Sequence, residues 1–186
     1  MNLVERVKNI LLAPTKEWEV IKGESTSVGE LFSKYAVLLS AIPAVAGFIG
    51  YSPIGLSIIW AALQYGIGLV VLYVLAVIID ALAPSFGAAK NMTDSLKVVV
   101  YSMTASWVGG VFMLIPSLYP LYRLAGIYSL VLLYFGIKTV KAPPPGKAVG
   151  YFVVSILPAI VLFGVVEVIV SRVVFGTAMM GGMAGI

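Results

Sequence analysis

The chain contains no cysteine and no histidine among its 186 residues. Thiol nucleophiles, structural disulfides and imidazole bases or metal ligands are therefore excluded together. Charged residues make up only 11% of the sequence, whereas a soluble globular domain has roughly 25%. Because so few charges cannot cover a surface that faces water, we expect lipid to be the main solvent of this protein.

Sequence patterns that carry chemistry are also missing. There is no glycine-rich phosphate loop, no pair of carboxylates at a useful spacing and no Ser-x-x-Lys arrangement. We therefore predict no enzyme activity, no catalytic residue, no metal site and no cofactor. The net charge of +4 comes from basic residues scattered over short segments beside apolar stretches, which argues against nucleic-acid binding.

Hydrophobic residues make up 61% of the chain and form five long segments. Each segment has about 20 residues or more, which at 1.5 Å per helical residue crosses a hydrocarbon core of about 30 Å. The segments are 31–50, 54–83, 96–116, 118–137 and 149–175. The predicted fold class is all-α: a polytopic membrane protein with five transmembrane helices and a short N-terminal amphipathic helix.

The N-terminal helix is predicted over residues 2–14, where Pro14 ends it. Its apolar residues share one face at a spacing of 3.6 residues: Leu3, Val4, Val7, Ile10 and Leu11. This pattern allows two placements. The helix packs on the rest of the protein, or it lies in the cytoplasmic interface with its apolar face among the lipid headgroups. Trp18 favours the interfacial placement, since tryptophan is enriched at membrane interfaces.

Basic residues are divided unequally between the two ends of the predicted spans. Ten precede the first span or lie in or beside the second-to-third and fourth-to-fifth loops, and only Arg123 and Arg172 belong to the other side. The positive-inside rule therefore predicts a cytoplasmic N-terminus and, after five spans, an external or periplasmic C-terminus. The expected division is a cytoplasmic segment 1–30, a membrane domain 31–176 and an external tail 177–186.

Local signals mark where several of the predicted spans begin, bend or end. Residues 27–30 have the spacing of a capping box, with Ser27 as the N-cap of the first span. Pro43 falls in the middle of that span, and residues 51–53 form a tight turn into the second. Thr93 or Asp94 is the predicted cap of the third span.

Small residues recur four apart within the apolar segments: Ala46 and Gly50, Ala62 and Gly66, Ala105 and Gly109, Ser106 and Gly110. Such spacing lets helix backbones approach closely in lipid. Packing within one bundle is the favoured interpretation, and the face of a homodimer is the alternative.

Polar residues within the spans are the candidate functional residues: Gln64, Asp80, Arg123, Glu167 and Arg172. Ionisable residues in membrane helices are functional hypotheses by default. These residues gather near the two interfaces, however, whereas transporters place coupling sites at the midplane. Anchoring and pairing are therefore favoured over transport.

Each candidate has an expected structural partner. Gln64 is expected to form an interhelical hydrogen bond. Glu167 has Arg123 and Arg172 as candidate partners near the outer edge. The candidate partners of Asp80 at the inner interface are Lys34 and Lys97, which lie at a similar depth.

Ordered segments along nearly the whole chain carry a family resemblance: residues 3–14 leading to Trp18 and Ile21, Ile42-Pro43, Leu96-Lys97-Val98-Val99-Val100-Tyr101-Ser102, Trp107, Pro116, Gly126-Ile127-Tyr128-Ser129-Leu130, Tyr134-Phe135-Gly136-Ile137 and Lys147-Ala148-Val149-Gly150-Tyr151. They resemble the prokaryotic branch of the Yip family, membrane proteins whose eukaryotic members interact with Rab-type GTPases. The resemblance implies the same five-helix topology, a prokaryotic origin and placement in the cell (inner) membrane. It implies no catalytic residue.

A Rab-type GTPase partner is not carried over by this resemblance. The N-terminal segment is short and contains no counterpart of the Asp-Leu-Tyr-Gly-Pro motif that precedes the first span of eukaryotic members. The predicted partners are the lipid bilayer and, as alternatives, a homo-oligomer or other membrane proteins.

Two functions remain open at this point. The first is a non-enzymatic protein that organises the membrane or docks partners, as the amphipathic N-terminus and close-packing residues suggest. The second is a small transporter or channel component, because kinked helices with internal polar groups can line a cavity. Five spans contain no obvious inverted repeat, which argues against the second.

Overall fold

A computed structural model describes residues 2–50 and 54–183 of the chain, and the side-chain surroundings of residues 2–50 and 58–173. The predicted turn at residues 51–53 lies outside the described residues. The α-helices are α1 (Leu3–Leu12), α2 (Pro14–Gly23), α3 (Val28–Leu31), α4 (Val37–Gly50), α5 (Ile54–Leu82), α6 (Met92–Ser102), α7 (Thr104–Gly109), α8 (Tyr119–Gly136) and α9 (Ala148–Met183). Short π-helical and 3-10 turns extend several of them: Phe32–Ala36, Ala83–Phe86, Gly110–Leu114, Pro116–Leu118 and Ile137–Lys141.

Five helical stretches within the described ranges are long and apolar enough to cross a membrane. They are Val28–Gly50, Ile58–Phe86, Met92–Leu114, Pro116–Lys141 and Ala148–Val173. The predicted fold class is therefore confirmed. The last helix, α9, continues to Met183, so its backbone includes most of the predicted tail.

Two predicted helix caps have different outcomes. At the start of α3, Ser27 and Glu30 form the predicted capping box, in which each side chain accepts a hydrogen bond from the other's backbone N–H. The cap of α6 is Asn91, whose side chain accepts the Asp94 N–H at 3.2 Å. The prediction of Thr93 or Asp94 is wrong because the helix begins earlier, so that both residues lie inside its first turn.

The third span forms the centre of the bundle. In its most apolar stretch 78% of the residues are buried, against 17–33% in the other four spans. The surrounding helices present large apolar side chains outward, such as Val161 on α9, which is 63% exposed. This arrangement suits a lipid solvent, because the outward surface needs no polar cover.

Small residues bring the third span close to its neighbours. A Cβ atom at Gly110 would lie 2.6 Å from Cβ of Pro43, and one at Gly109 would overlap Ala125. Packing within the bundle is therefore confirmed for the two pairs of the third span. At Gly66, by contrast, a Cβ atom would meet nothing within 4 Å, so this glycine has no such packing role in the bundle.

Helices α1 and α2 fold back on each other to form the N-terminal hairpin (Leu3–Gly23), which packs on the bundle. Ile10, Trp18 and Ile21 are fully buried. The Trp18 ring lies against Gly136 of α8 and makes an edge contact with Tyr101 at 6.3 Å between centroids. The interpretation of Trp18 as an interfacial anchor is therefore wrong, because the missing side chain at Gly136 leaves a slot in the bundle for the indole.

Substitution of Gly136 by alanine is expected to loosen the N-terminal hairpin. The new Cβ atom would lie 2.7 Å from the Trp18 ring, too close for any real contact. Overpacking of this kind costs about 1–3 kcal/mol, which thermal or denaturant unfolding in detergent micelles measures. Gly126→Ala in the same helix is the matched control, since its Cβ atom would meet Ser106 Oγ at an ordinary 3.9 Å. Equal stability of the two variants would contradict the packing role of Gly136.

Candidate functional site

The charged side chains gather at one end of the bundle, which we call the hairpin end. It comprises the N-terminal hairpin, the start of the first span, the loop of residues 87–91 and the loop of residues 142–147. Four of the five ion pairs found among the described residues are partly or fully buried at this end. These pairs are the most elaborate polar arrangement in the described part of the protein.

Arg6 is the centre of the first charged cluster. Its guanidinium donates to the Glu17 carboxylate at 2.5 Å and to the Glu24 carboxylate, and it lies 5.3 Å from the ring centre of Tyr101. The Arg6 and Glu17 side chains are each only 6% exposed. Burial alone would lower the pKa of Arg6, but the hydrogen bond to Glu24 and the charges of Glu24 and Glu17 raise it above its ordinary value. The cation is therefore permanent and ties α1 to α2 and to the segment that follows α2.

Lys97 connects this cluster to the central helix. Its ammonium donates to the backbone carbonyl of Glu24 at 2.6 Å and lies 3.4 Å from a carboxylate oxygen of Asp94. The Lys97 side chain is only 4% exposed, because it lies on the most buried span of the bundle. The segment after the hairpin is thus held to α6 by a buried charge.

Asp80 at the end of α5 accepts three hydrogen bonds. The donors are the Asn91 N–H at 2.7 Å, the Ser95 hydroxyl at 3.1 Å and the Lys141 ammonium at 3.4 Å. Lys141 also donates to the Ser95 hydroxyl at 2.9 Å, and its side chain is 1% exposed. This cluster joins the ends of the second, third and fourth spans.

The predicted ion pair of Asp80 is confirmed in kind but wrong in partner. Lys34 pairs instead with Glu30, one turn away on the same exposed helical surface, and Lys97 pairs with Asp94. Lys141 reaches Asp80 because the π-helical turn Ile137–Lys141 closes the fourth span beside the start of the third. Depth alone cannot distinguish lysines that approach from different helices.

At the other end of the bundle, Gln64 donates a hydrogen bond to the Glu167 carboxylate at 3.2 Å. The predicted interhelical hydrogen bond of Gln64 is therefore confirmed. The expected pairing of Glu167 with Arg123 or Arg172 is wrong, because no ion pair among the described residues joins them. Antiparallel packing of α5 and α9 places Gln64 opposite Glu167, whereas the Arg123 guanidinium lies 5.5 Å from the Tyr119 ring centre on its own helix. Arg172 is exposed.

Hydroxyl groups also join the spans, and sequence reasoning did not identify these bonds. The Tyr35 and Thr104 hydroxyls lie 2.8 Å apart, as do those of Ser106 and Ser129. The Tyr151 hydroxyl donates to the Ile79 carbonyl at 2.5 Å. Their only sequence signal is a hydroxyl within an apolar stretch, which is common in membrane helices and names no partner.

A cleft of about 420 Å³ opens at the hairpin end between the hairpin, the first span and α6. Its charged lining residues Arg6, Glu24, Glu30 and Lys34 are all engaged in ion pairs with one another or with Glu17. No group of three or more acidic side chains suited to a metal ion occurs among the described residues. The polar groups therefore hold helices together, and the described part presents no reactive constellation.

Together, the five apolar helices and the buried, internally paired charges define a polytopic helical membrane protein. The chain belongs to the Yip1 family, since the Yip1 domain matches residues 8–167. It is similar to the inner membrane protein YohC of Escherichia coli strain K12 and to that of E. coli O6:H1. Each is 25% identical over 136 residues, which cover 66% of this chain and 68% of the relative. No solved structure matches the chain. The resemblance drawn from the sequence is confirmed.

Replacement of Asp80 by asparagine is expected to destabilise the bundle strongly. It leaves the buried Lys141 ammonium without a carboxylate, and breaking a buried ion pair in this way costs about 3–5 kcal/mol. The double variant Asp80→Asn, Lys141→Met should recover most of the loss, because it removes the buried charge as well. Thermal unfolding of the purified protein in detergent measures all three forms.

The exposed Lys34 serves as the control for this prediction. Lys34→Met removes a cation whose side chain is 73% exposed, and the unfolding midpoint should hardly change. If Asp80→Asn unfolds at the same temperature as Lys34→Met, the buried pair does not contribute to stability as described.

Proposed function

We propose that the protein is a non-catalytic scaffold that organises the membrane or docks partner membrane proteins through its hairpin end. The observation that carries this proposal is the use of the buried cations. Arg6, Lys97 and Lys141 each bind groups of the protein itself and fix the N-terminal hairpin and the loops to the bundle. Such an arrangement builds a shaped surface, whereas an enzyme or transporter needs polar groups free to meet a substrate.

The placement of the protein is part of the proposal. We place it in the inner membrane with the hairpin end in the cytoplasm, so that the C-terminus is external or periplasmic. Two observations support this placement: ten of the twelve basic residues belong to the hairpin end, and the relatives from E. coli are inner membrane proteins by name. A homo-oligomer or another membrane protein is the expected partner besides lipid.

The alternative function is a small transporter or channel component. It draws on the polar pair Gln64–Glu167 between α5 and α9 and on Pro43 within α4. The Glu167 side chain is exposed on the outside of the bundle, and Pro43 packs closely on Gly110. These positions favour anchoring over a path for solutes. Solute flux into vesicles that carry the protein, abolished by Glu167→Gln, would support transport instead.

Single cysteines in this cysteine-free chain should report the proposed orientation. We expect Ser117→Cys, in the turn at the other end, to react with a membrane-impermeant maleimide in intact cells, and Pro145→Cys to react only after permeabilisation. Both positions are exposed, so accessibility depends on the side of the membrane and not on burial. The reverse labelling pattern would overturn the placement.

Deletion of residues 2–14 tests the scaffold role. Loss of α1 removes Arg6 and exposes the bundle surface that Ile10 covers. If the protein is a scaffold, two readouts should therefore fall several-fold: the capture of membrane partners by crosslinking, and the change in vesicle shape that we expect the full chain to produce. Gel filtration and thermal unfolding show whether the shortened chain is still folded. The Arg172→Gln variant, which changes an exposed charge at the other end of the bundle, should behave as the full chain does. A folded truncation with unchanged partner capture and unchanged vesicle shape would contradict the proposal.

A further inference from the structure

The N-terminal hairpin extends along the side of the bundle, not across its end. The Tyr128 hydroxyl donates to the Leu11 carbonyl at 2.8 Å, and α1 contacts α7 (Thr104–Gly109). Tyr128 and α7 lie near the middle of the fourth and third spans, respectively. The connection between α1 and α2 at Ala13 therefore reaches far down the flank of the bundle, toward the bilayer.

The tip of the hairpin is apolar and uncovered. Leu12 is 74% exposed, and Ala13 beside it is exposed as well. The surface of α8 next to Tyr128 is also apolar and exposed: Ile127 is 60% and Val131 is 40% exposed. Because lipid covers this surface of the fourth span, a tip bonded to Tyr128 adjoins a lipid-covered face.

Exposed charges follow the tip in a symmetrical order. Lys8 and Lys16 each lie four residues from Leu12, one before it and one after it, and Glu5 and Glu19 each lie seven residues away. All four are exposed, and no ion pair among the described residues involves any of them. From the apolar tip outward, the first exposed charges are thus basic and the next are acidic, while exposed Val4 and Val20 lie beside the glutamates and Lys22 lies at the base.

This order matches the layers of a membrane surface. The hydrogen bond to Tyr128, near the middle of the fourth span, places the tip well below the headgroups. Four residues of helix span about 6 Å, so Lys8 and Lys16 lie that much nearer the membrane surface, and their long side chains extend to the headgroup phosphates. The glutamates lie nearer still to the water, seven residues or about 10 Å of helix from the tip.

We infer that the tip of the N-terminal hairpin inserts into one leaflet of the bilayer, with Lys8 and Lys16 against anionic phospholipid headgroups. The side of α1 and α2 that carries Ile10, Trp18 and Ile21 faces the bundle, so this contact differs from that of an amphipathic helix lying flat with its apolar face in lipid. The inference rests on the proposed function, since it names the lipid that the hairpin end contacts. Two short helices added to one leaflet alone give the protein a wedge shape.

A depth measurement in liposomes tests the insertion. The chain has no cysteine, so Leu12→Cys carries a single environment-sensitive fluorophore, and Lys22→Cys at the base of the hairpin is the matched control. In liposomes containing anionic phospholipid, we expect nitroxides attached to the acyl chain to quench the probe at position 12 several-fold more than the probe at position 22. Aqueous iodide should show the opposite preference.

The charge contribution is tested with Lys8→Gln, Lys16→Gln in the same labelled chain. The double variant should lose most of the difference in quenching between anionic and zwitterionic liposomes, whereas Lys22→Gln should keep it. If iodide quenches position 12 and lipid nitroxides do not, the tip faces water and the inference is wrong. Protection from both quenchers would mean that protein covers the tip, which overturns it as well.

The scaffold proposal and this inference can fail separately. Loss of partner capture on deletion of residues 2–14, together with a tip that iodide reaches, would keep the scaffold and remove the lipid contact. Lipid quenching of position 12, together with unchanged partner capture and vesicle shape in the deletion, would do the reverse.

Discussion

The buried guanidinium of Arg6 holds together the hairpin end, the part of the molecule through which we propose that it acts. This one cation donates hydrogen bonds to two carboxylates, those of Glu17 on α2 and of Glu24 just after it. The backbone carbonyl of Glu24 in turn accepts a hydrogen bond from Lys97 of the central helix. An unpaired charge in such surroundings would cost several kcal/mol, so the hairpin keeps one position relative to the bundle. The cleft and the exposed tip of the hairpin both depend on that position.

Close packing between helices stabilises the bundle in addition to the buried ion pairs. Trp18 reaches the bundle only because Gly136 has no side chain, and Pro43 fits only beside Gly110. Lipid provides little hydrophobic driving force between helices, so contact area and hydrogen bonds between hydroxyls carry the association of the spans. The bonds of Tyr35 with Thr104 and of Ser106 with Ser129 serve this purpose in the otherwise apolar centre.

Membership of the Yip1 family fits a protein whose polar residues are used in assembly. Each charge buried in the described bundle meets an internal partner, and the exposed charges of the hairpin are the ones that we propose face a membrane surface. Membrane shape and capture of neighbouring membrane proteins are therefore the readouts of the scaffold role that we propose.

The sequence by itself determined the solvent, the number of spans and the family, because long apolar runs and their order are local properties of the chain. It also determined the cap at Ser27 and Glu30, which needs only three residues of helix. The partners of Asp80 and Glu167 and the burial of Trp18 came only from the tertiary structure. Several lysines share a depth, and a tryptophan near a membrane suits both lipid and protein. Which side chains come into contact depends on how the helices pack against one another, and the sequence of a single helix does not specify that packing.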